Sequence, residues 1–170
     1  VYRELSSENK RYPVKNYQSK PSIQLPRSFN PGEKNLNLDI DTSSQFGLFH
    51  HLKPDSISLN DLSQLLYLAN GITLIKEYGS KKISLRAAPS AGACYPIEIY
   101  LINEKISEIE KGLYYYHPIE HSLLLLKKDL LKESVWRETY QLDFIKDAPI
   151  YLVFSNTFSR NSWKYLVRGL

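Results

Sequence analysis

With 170 residues, 22 Lys and Arg against 18 Asp and Glu, and a formal charge of +4, the chain is long enough for one domain with a real core. The positive excess leaves room for an anionic ligand, but no dense Lys/Arg stripe interleaved with aromatics exists, so no nucleic-acid partner is expected. A single cysteine, Cys94, rules out an intrachain disulfide and a cysteine metal cage. No apolar run has membrane-spanning length and no signal-peptide pattern is present, so the expectation is a cytoplasmic protein with no membrane partner.

In chain order, residues 1–37 come first. They are polar and interrupted by Pro13, Pro21, Pro26 and Pro31, and no helical or strand period survives. An extended arm or linker is expected here, ordered by lying on a neighbouring domain or subunit or else a loose tail, with one domain over 38–170. His50 and His51 are adjacent, so on a strand they point to opposite faces and make a poor metal pair. Ser58, with Asp61 three residues on, is a capping-box start, and Leu59, Leu62, Leu65, Leu66 and Ala69 share one helical face. That helix ends at Asn70-Gly71 and exposes Asn60, Ser63 and Gln64.

Next comes "LRAAPSAGACYP". Pro89 fixes φ, Gly92 permits positive φ or close backbone approach, and Ser90 offers a short hydroxyl. Ala87, Ala88, Ala91 and Ala93 keep the volume low. Such a loop can present backbone amides and a flat surface to a planar ring, or it can be a buried turn; spacing alone favours the turn. It matches neither the GxGxxG nor the P-loop phosphate cradle. Ile97, Ile99 and Leu101 then alternate with Glu98, Tyr100 and Ile102, predicting a strand over 97–103 in which Glu98 needs polar surroundings or a partner. "GLYYYHP" and "HSLLLLKK" predict a hairpin about "HPIEH".

A helix is expected over about 129–140 with Asp129 as N-cap. The run 148–156, "APIYLVFSN", suits a central buried strand, and a last helix begins near 159–162. This order implies an α/β or α+β fold, a sheet covered by helices. His117 and His121 flank the hairpin turn without a third ligand, a weak zinc case. No base is evident beside Cys94, which reads as a small buried filler. Tyr114, Tyr115 and Tyr116, among 13 tyrosines, can line a peptide channel, although half of such a strand must face the core. The chain starts at Val1, has no Met and stops on "WKYLVRGL", an uncapped helix start, which reads as a fragment.

"RAAPSAGACYPIEIYLI" resembles the Arg…Pro-Ser-Ala-Gly-Ala-x-Tyr-Pro-x-Glu-x-Tyr signature of the SagB-like azoline dehydrogenases. These are FMN-dependent members of the nitroreductase superfamily that oxidise thiazolines and oxazolines to azoles in ribosomally made peptides. The order continues: "ISLNDLSQLLYLANGIT" resembles the family's helix before the signature, and "KGLYYYHPIEHSLLLL" its hairpin. "KDAPIYLVFSNTFSR" resembles its Ala-Pro strand and "WKYLVRG" its Lys-Tyr-x-x-Arg-Gly helix start. Together these cover roughly residues 55–170. The resemblance implies a nitroreductase-like α+β fold with an antiparallel-rich sheet flanked by helices, of which the chain holds the N-terminal half. It implies FMN at an interface with a second copy or a second nitroreductase-like domain, an azoline peptide as substrate, and cyclodehydratase components as companions.

For catalysis the resemblance points to Lys164 and Tyr165, where a desolvated amine or a phenol beside a cation can act as base. For FMN it points to Arg86, Ser90, Ala91, Gly92 and Arg168, with Arg86 suited to a forked contact on a phosphate or ring carbonyl. Taken without the resemblance, Lys164-Tyr165 reads as an exposed charge and a packing aromatic, and Arg86 as a surface arginine paired with an acid. One segment departs from the superfamily. The Arg-rich stretch that grips the FMN phosphate reads "DTSSQFGLFHHLKPDSISL" here, so either His50, His51 and Lys53 substitute, or another domain supplies the grip, or this domain does not bind flavin. Two alternatives stay open: a degenerate, non-catalytic docking domain, and a general NAD(P)H nitro- or quinone reductase.

Overall fold

A computed structural model describes residues 14–17, 19–28, 57–79, 81–129 and 131–166. In chain order the elements are β1 (Ser22–Gln24), α1 (Leu59–Asn70), β2 (Ile72–Tyr78), β3 (Lys81–Arg86), β4 (Ile97–Asn103), β5 (Gly112–His117) and β6 (Ser122–Lys127). They continue with α2 (Lys132–Glu138), α3 (Asp143–Lys146), β7 (Ile150–Asn156) and α4 (Phe158–Tyr165). The main sheet runs β1-β6-β5-β4-β7, antiparallel at every pairing, while β2 and β3 form a separate hairpin. This is the expected α+β architecture, an antiparallel sheet flanked by helices. Among the described residues no helix is long and apolar enough to cross a membrane.

Register assigns the two faces of the sheet. Ile99 and Leu101 of β4, Tyr114 and Tyr116 of β5, and Leu123 and Leu125 of β6 share one face and form the apolar core with Leu62 and Leu66 of α1. The two tyrosines bury their rings and still find partners. Tyr114 Oη donates to Glu110 O at 2.7 Å, and Tyr116 Oη meets His121 Nδ1 at 2.9 Å. Glu98, Tyr100 and Tyr115 lie on the opposite face.

Helix α1 begins as its sequence predicts, with Ser58 and Asp61 closing a reciprocal capping box. Its buried face differs from the expected stripe: Ser63 is buried and Leu65 is 44% exposed. The reason lies across the helix, where Ser63 Oγ donates to the Pro26 carbonyl and sits 2.8 Å from His121 Nε2. His121 Nε2 also faces Pro26 O at 3.3 Å. A carbonyl only accepts, so Nε2 carries the proton and Nδ1 takes the Tyr116 hydroxyl proton. Burial lowers the His121 pKa and so disfavours the charged ring, while the Pro26 carbonyl acts the other way.

Other expectations are corrected. Asp129 does not cap the helix after it: α2 starts at Lys132 with no side-chain cap, and Asp129 pairs with Lys127 Nζ at 2.8 Å instead. Among the described residues, the apolar run 150–156 stands at the edge of the sheet and not at its centre. Among the described residues it pairs only with β4, leaving Phe154 58% exposed. The hairpin β2–β3 and the single-turn α3 carried no clear period. Part of the N-terminal region, read as aperiodic, contributes β1 to the sheet edge, where Ile23 lies opposite Leu123. Lys15 and Tyr17 lie further along on the polar face. Lys15 Nζ donates to Tyr100 Oη at 2.8 Å, and Tyr17 Oη shares a hydrogen bond of 2.8 Å with the same hydroxyl.

Candidate active site

The small-residue loop becomes a tight turn before β4. Ala91–Ala93 form one 3-10 turn, and Gly92 at φ 59° and Ala93 at φ 53° both adopt the left-handed conformation. Tyr95 follows at φ 44°. Positive φ at two non-glycine residues costs on the order of 1–3 kcal/mol each, so the surroundings must hold the loop in place. They do so at both ends. Ser90 Oγ accepts from Tyr95 N at 2.9 Å, Tyr95 Oη accepts from Arg86 N at 3.1 Å, and the Arg86 guanidinium lies over the Tyr95 ring at 5.1 Å.

Gly92 is where the two candidate regions meet. A Cβ at this position would strike the Lys164 amine and the Tyr165 hydroxyl, both carried by α4. Lys164 Nζ donates to Gly92 O at 3.3 Å and lies 5.8 Å from the centre of the Tyr165 ring. Residues 72 positions apart thus converge on one backbone spot, where the positive φ of Gly92 favours glycine. Cys94, half-buried, directs its thiol at the same Gly92 carbonyl at 3.8 Å.

A cavity of about 250 Å³ adjoins the loop, lined by Asn70, Ala88, Pro89, Ser90, Tyr95 and Ile97 among others. Its walls are small and mostly apolar, which suits the flat ring of FMN. Among the described residues that line it none is charged, so the phosphate would have to be met elsewhere. Arg86 does not line the cavity but bonds two residues that do. It is buried, and its Nη1 donates to Asn70 Oδ1 at 3.3 Å and to Ile97 O at 3.4 Å. Burial lowers the Arg86 pKa and the nearby Arg160 charge acts in the same direction, while the Glu98 carboxylate opposes them. Arg168, His50, His51 and Lys53 lie outside the described residues.

Three residues that shape the site had no assigned role in the sequence. Glu98 is fully buried, takes Arg160 on Oε1 and accepts from Tyr115 Oη on Oε2 at 2.8 Å. Arg160 also donates from Nη1 to Tyr95 O at 2.8 Å. The signal for Glu98 was a carboxylate within an otherwise apolar strand, on the face opposite Ile99 and Leu101. For Arg160 it was an arginine four residues before Lys164, on the same helical face. Tyr95, read only as part of a motif, ties the loop to both arginines. His117, at the hairpin turn, accepts from Glu120 N at 3.2 Å on Nδ1. Among the described residues no group of three or more His, Cys, Asp and Glu is placed to hold a metal.

Comparison with known proteins adds a family. The nitroreductase family model matches residues 50–169. A protein described as a nitroreductase in Methanocaldococcus jannaschii is 33% identical over 113 residues, 66% of this chain and 54% of that protein. The chain therefore spans about half the length of that curated relative. The trifolitoxin-processing protein of Rhizobium leguminosarum bv. trifolii is 35% identical over 72 residues, 41% of this chain and 19% of that one. Among solved structures, one described as a nitroreductase from Anabaena variabilis superposes with a TM-score of 0.75 at 24% identity, covering 98% of this chain and 30% of its own. A chain of the Escherichia coli microcin synthetase complex, with truncated pro-MccB17 bound, superposes with a TM-score of 0.51 at 25% identity, covering 83% of this chain and 55% of its own.

Proposed function

The chain belongs to the nitroreductase family, whose members are generally flavin oxidoreductases and typically bind FMN, and from that premise we propose that it contributes to an FMN-dependent azoline dehydrogenase acting on ribosomally made peptides. The observation that carries the reading is the meeting of Lys164 and Tyr165 over Gly92. These two candidate bases meet the loop at Gly92, the residue after Ala91, and Ala91 lines an uncharged, small-walled cavity. The relatives named for processing trifolitoxin and for synthesising microcin support a peptide substrate and companion synthetase components such as a cyclodehydratase. A second copy, or a second nitroreductase-like domain, is proposed to complete the site.

Aromatising an azoline removes one proton from ring carbon and one hydride equivalent. FMN bound beside Ser90, Ala91 and Gly92 would supply the hydride acceptor, and an external electron acceptor restores it. The protein's part is the proton. Lys164 Nζ and Tyr165 Oη are the groups at hand to take it, and the Gly92 carbonyl fixes where the amine stands. Ser90 accepts the Tyr95 amide proton, which leaves its own O–H to donate toward a ring edge. Arg86, bonded to the cavity residues Asn70 and Ile97, is proposed to contribute positive charge behind the lining, and Arg168 is proposed as a further anion contact.

The test uses the whole protein loaded with FMN and a thiazoline-containing peptide under air. Lys164→Met is expected to lower azole formation at least about 100-fold. Visible flavin absorption and melting temperature should stay as in the parent. Full activity in that variant removes Lys164 from the mechanism. A whole protein that takes up no FMN supports the non-catalytic docking role instead, the reading favoured by the lack of charge around the cavity. Rapid anaerobic bleaching by NADPH without azole formation supports a general nitro- or quinone reductase.

A further inference from the structure

Helix α4 has eight residues, and its N-cap Thr157 makes no side-chain cap bond. A helix this short is marginal by itself and takes its position from tertiary contacts. Among the described residues its one buried side chain is Arg160. The two arms of that guanidinium fork reach different places. Nη2 pairs with Glu98 Oε1 in β4, and Nη1 donates to Tyr95 O, the end of the small-residue loop, at 2.8 Å. The Glu98 carboxylate is itself oriented by Tyr115 Oη on its other oxygen. Four residues on, one helical turn above Arg160 and on the same side, Lys164 reaches Gly92 O in that same loop.

We infer that Arg160 is the positioning residue of the Lys164 amine: its fork locks α4 simultaneously to β4 and to the loop, and so fixes the spacing between Lys164 and Gly92. A single planar side chain with two fixed donor directions can do this, whereas a lysine carries its three donors on one nitrogen and has no fixed fork to span both partners. The inference rests on the proposed function for the importance of Lys164, but its geometry is testable without turnover.

The experiment measures lysine acylation by mass spectrometry on the whole protein, with Lys164 scored against Lys82, which is 72% exposed. The double variant Glu98→Gln/Arg160→Met removes the two charges of the pair together and keeps an acceptor for Tyr115, while buried Arg86, which loses the nearby carboxylate, keeps Asn70 Oδ1 and the Ile97 carbonyl as partners. Labelling of Lys164 relative to Lys82 is expected to rise severalfold while the melting temperature holds. A folded double variant with Lys164 labelled as in the parent overturns the inference. If the double variant does not fold, Arg160→Lys is read the same way, since it keeps a cation beside Glu98 and gives up the fork to Tyr95 O. Here too, unchanged labelling overturns the inference. Should labelling rise while Lys164→Met retains full activity, the positioning stands and the catalytic reading falls.

Discussion

The two faces of one sheet are built on different physics. Beneath α1, Ile99, Leu101, Tyr114, Tyr116, Leu123 and Leu125 are joined by burial. Such attraction is strong and non-directional, and it tolerates exchange among side chains of similar volume. On the other face Glu98, Tyr100 and Tyr115 meet Lys15, Tyr17 and Arg160 through hydrogen bonds between named atoms. Such contacts depend on direction and lose most of their worth when one partner is displaced. The apolar face therefore contributes stability that tolerates exchange, and the polar face contributes stability tied to fixed positions, those of α4 and Lys164 among them.

Alkaline pH attacks both faces at once and has the largest expected effect. Burial pushes the Tyr115 and Tyr116 hydroxyls well above the ordinary phenol range, and burial followed by the Tyr100 hydrogen bond does the same for Tyr17. These groups hold their protons longer folded than unfolded. Their contribution to stability is thus complete below the ordinary tyrosine value of about 10 and is lost as pH rises beyond it. The melting temperature should fall steadily above that pH, and the phenolate absorbance of these rings should appear only together with unfolding. Phenolate from all the buried tyrosines in a still-folded protein would contradict the closed packing of both faces.

Leu101→Ala separates the faces. Leu101 is fully buried at the centre of the apolar face, and truncation is expected to cost about 2–5 kcal/mol in denaturant unfolding. Below the lowered melting temperature, the relative labelling of Lys164 should match the parent, because no atom of the polar network is touched. A selective rise at Lys164 would mean that the apolar face also positions α4.

The same division explains what the sequence disclosed. Ile99, Leu101 and the β5–β6 hairpin were legible because burial of one face writes an alternating pattern. The start of α1 was legible because Ser58 and Asp61 satisfy local backbone groups. Ser63 was misplaced because its reason for burial, Pro26 and His121, is remote in sequence. The run 150–156 looked central because apolar composition does not reveal how many neighbours a strand will have. In the candidate site, Lys164, Tyr165 and Gly92 entered through a resemblance. Their meeting could not be read from spacing, since it depends on Arg160 choosing both Glu98 and Tyr95 as partners.

The smallest and sharpest test compares two neighbours on β5. Tyr115 and Tyr116 are both fully buried and differ by one residue, so they point to opposite faces. Each loses only a hydroxyl on change to Phe, so cavity formation contributes little to either variant. Tyr115→Phe removes a bond to an ionised carboxylate and also takes the acceptor from Lys15 N. Its expected cost is about 1.5–3 kcal/mol. Tyr116→Phe removes a bond to a neutral imidazole, worth about 0.5–1.5 kcal/mol. Arg160 holds the other oxygen of Glu98, so Lys164 labelling in Tyr115→Phe should move far less than in the double variant at Glu98 and Arg160. Denaturant unfolding of the two single variants decides the point. If Tyr116→Phe proves the costlier, charge does not hold the polar face, and the division between the two faces gives way to one continuous core.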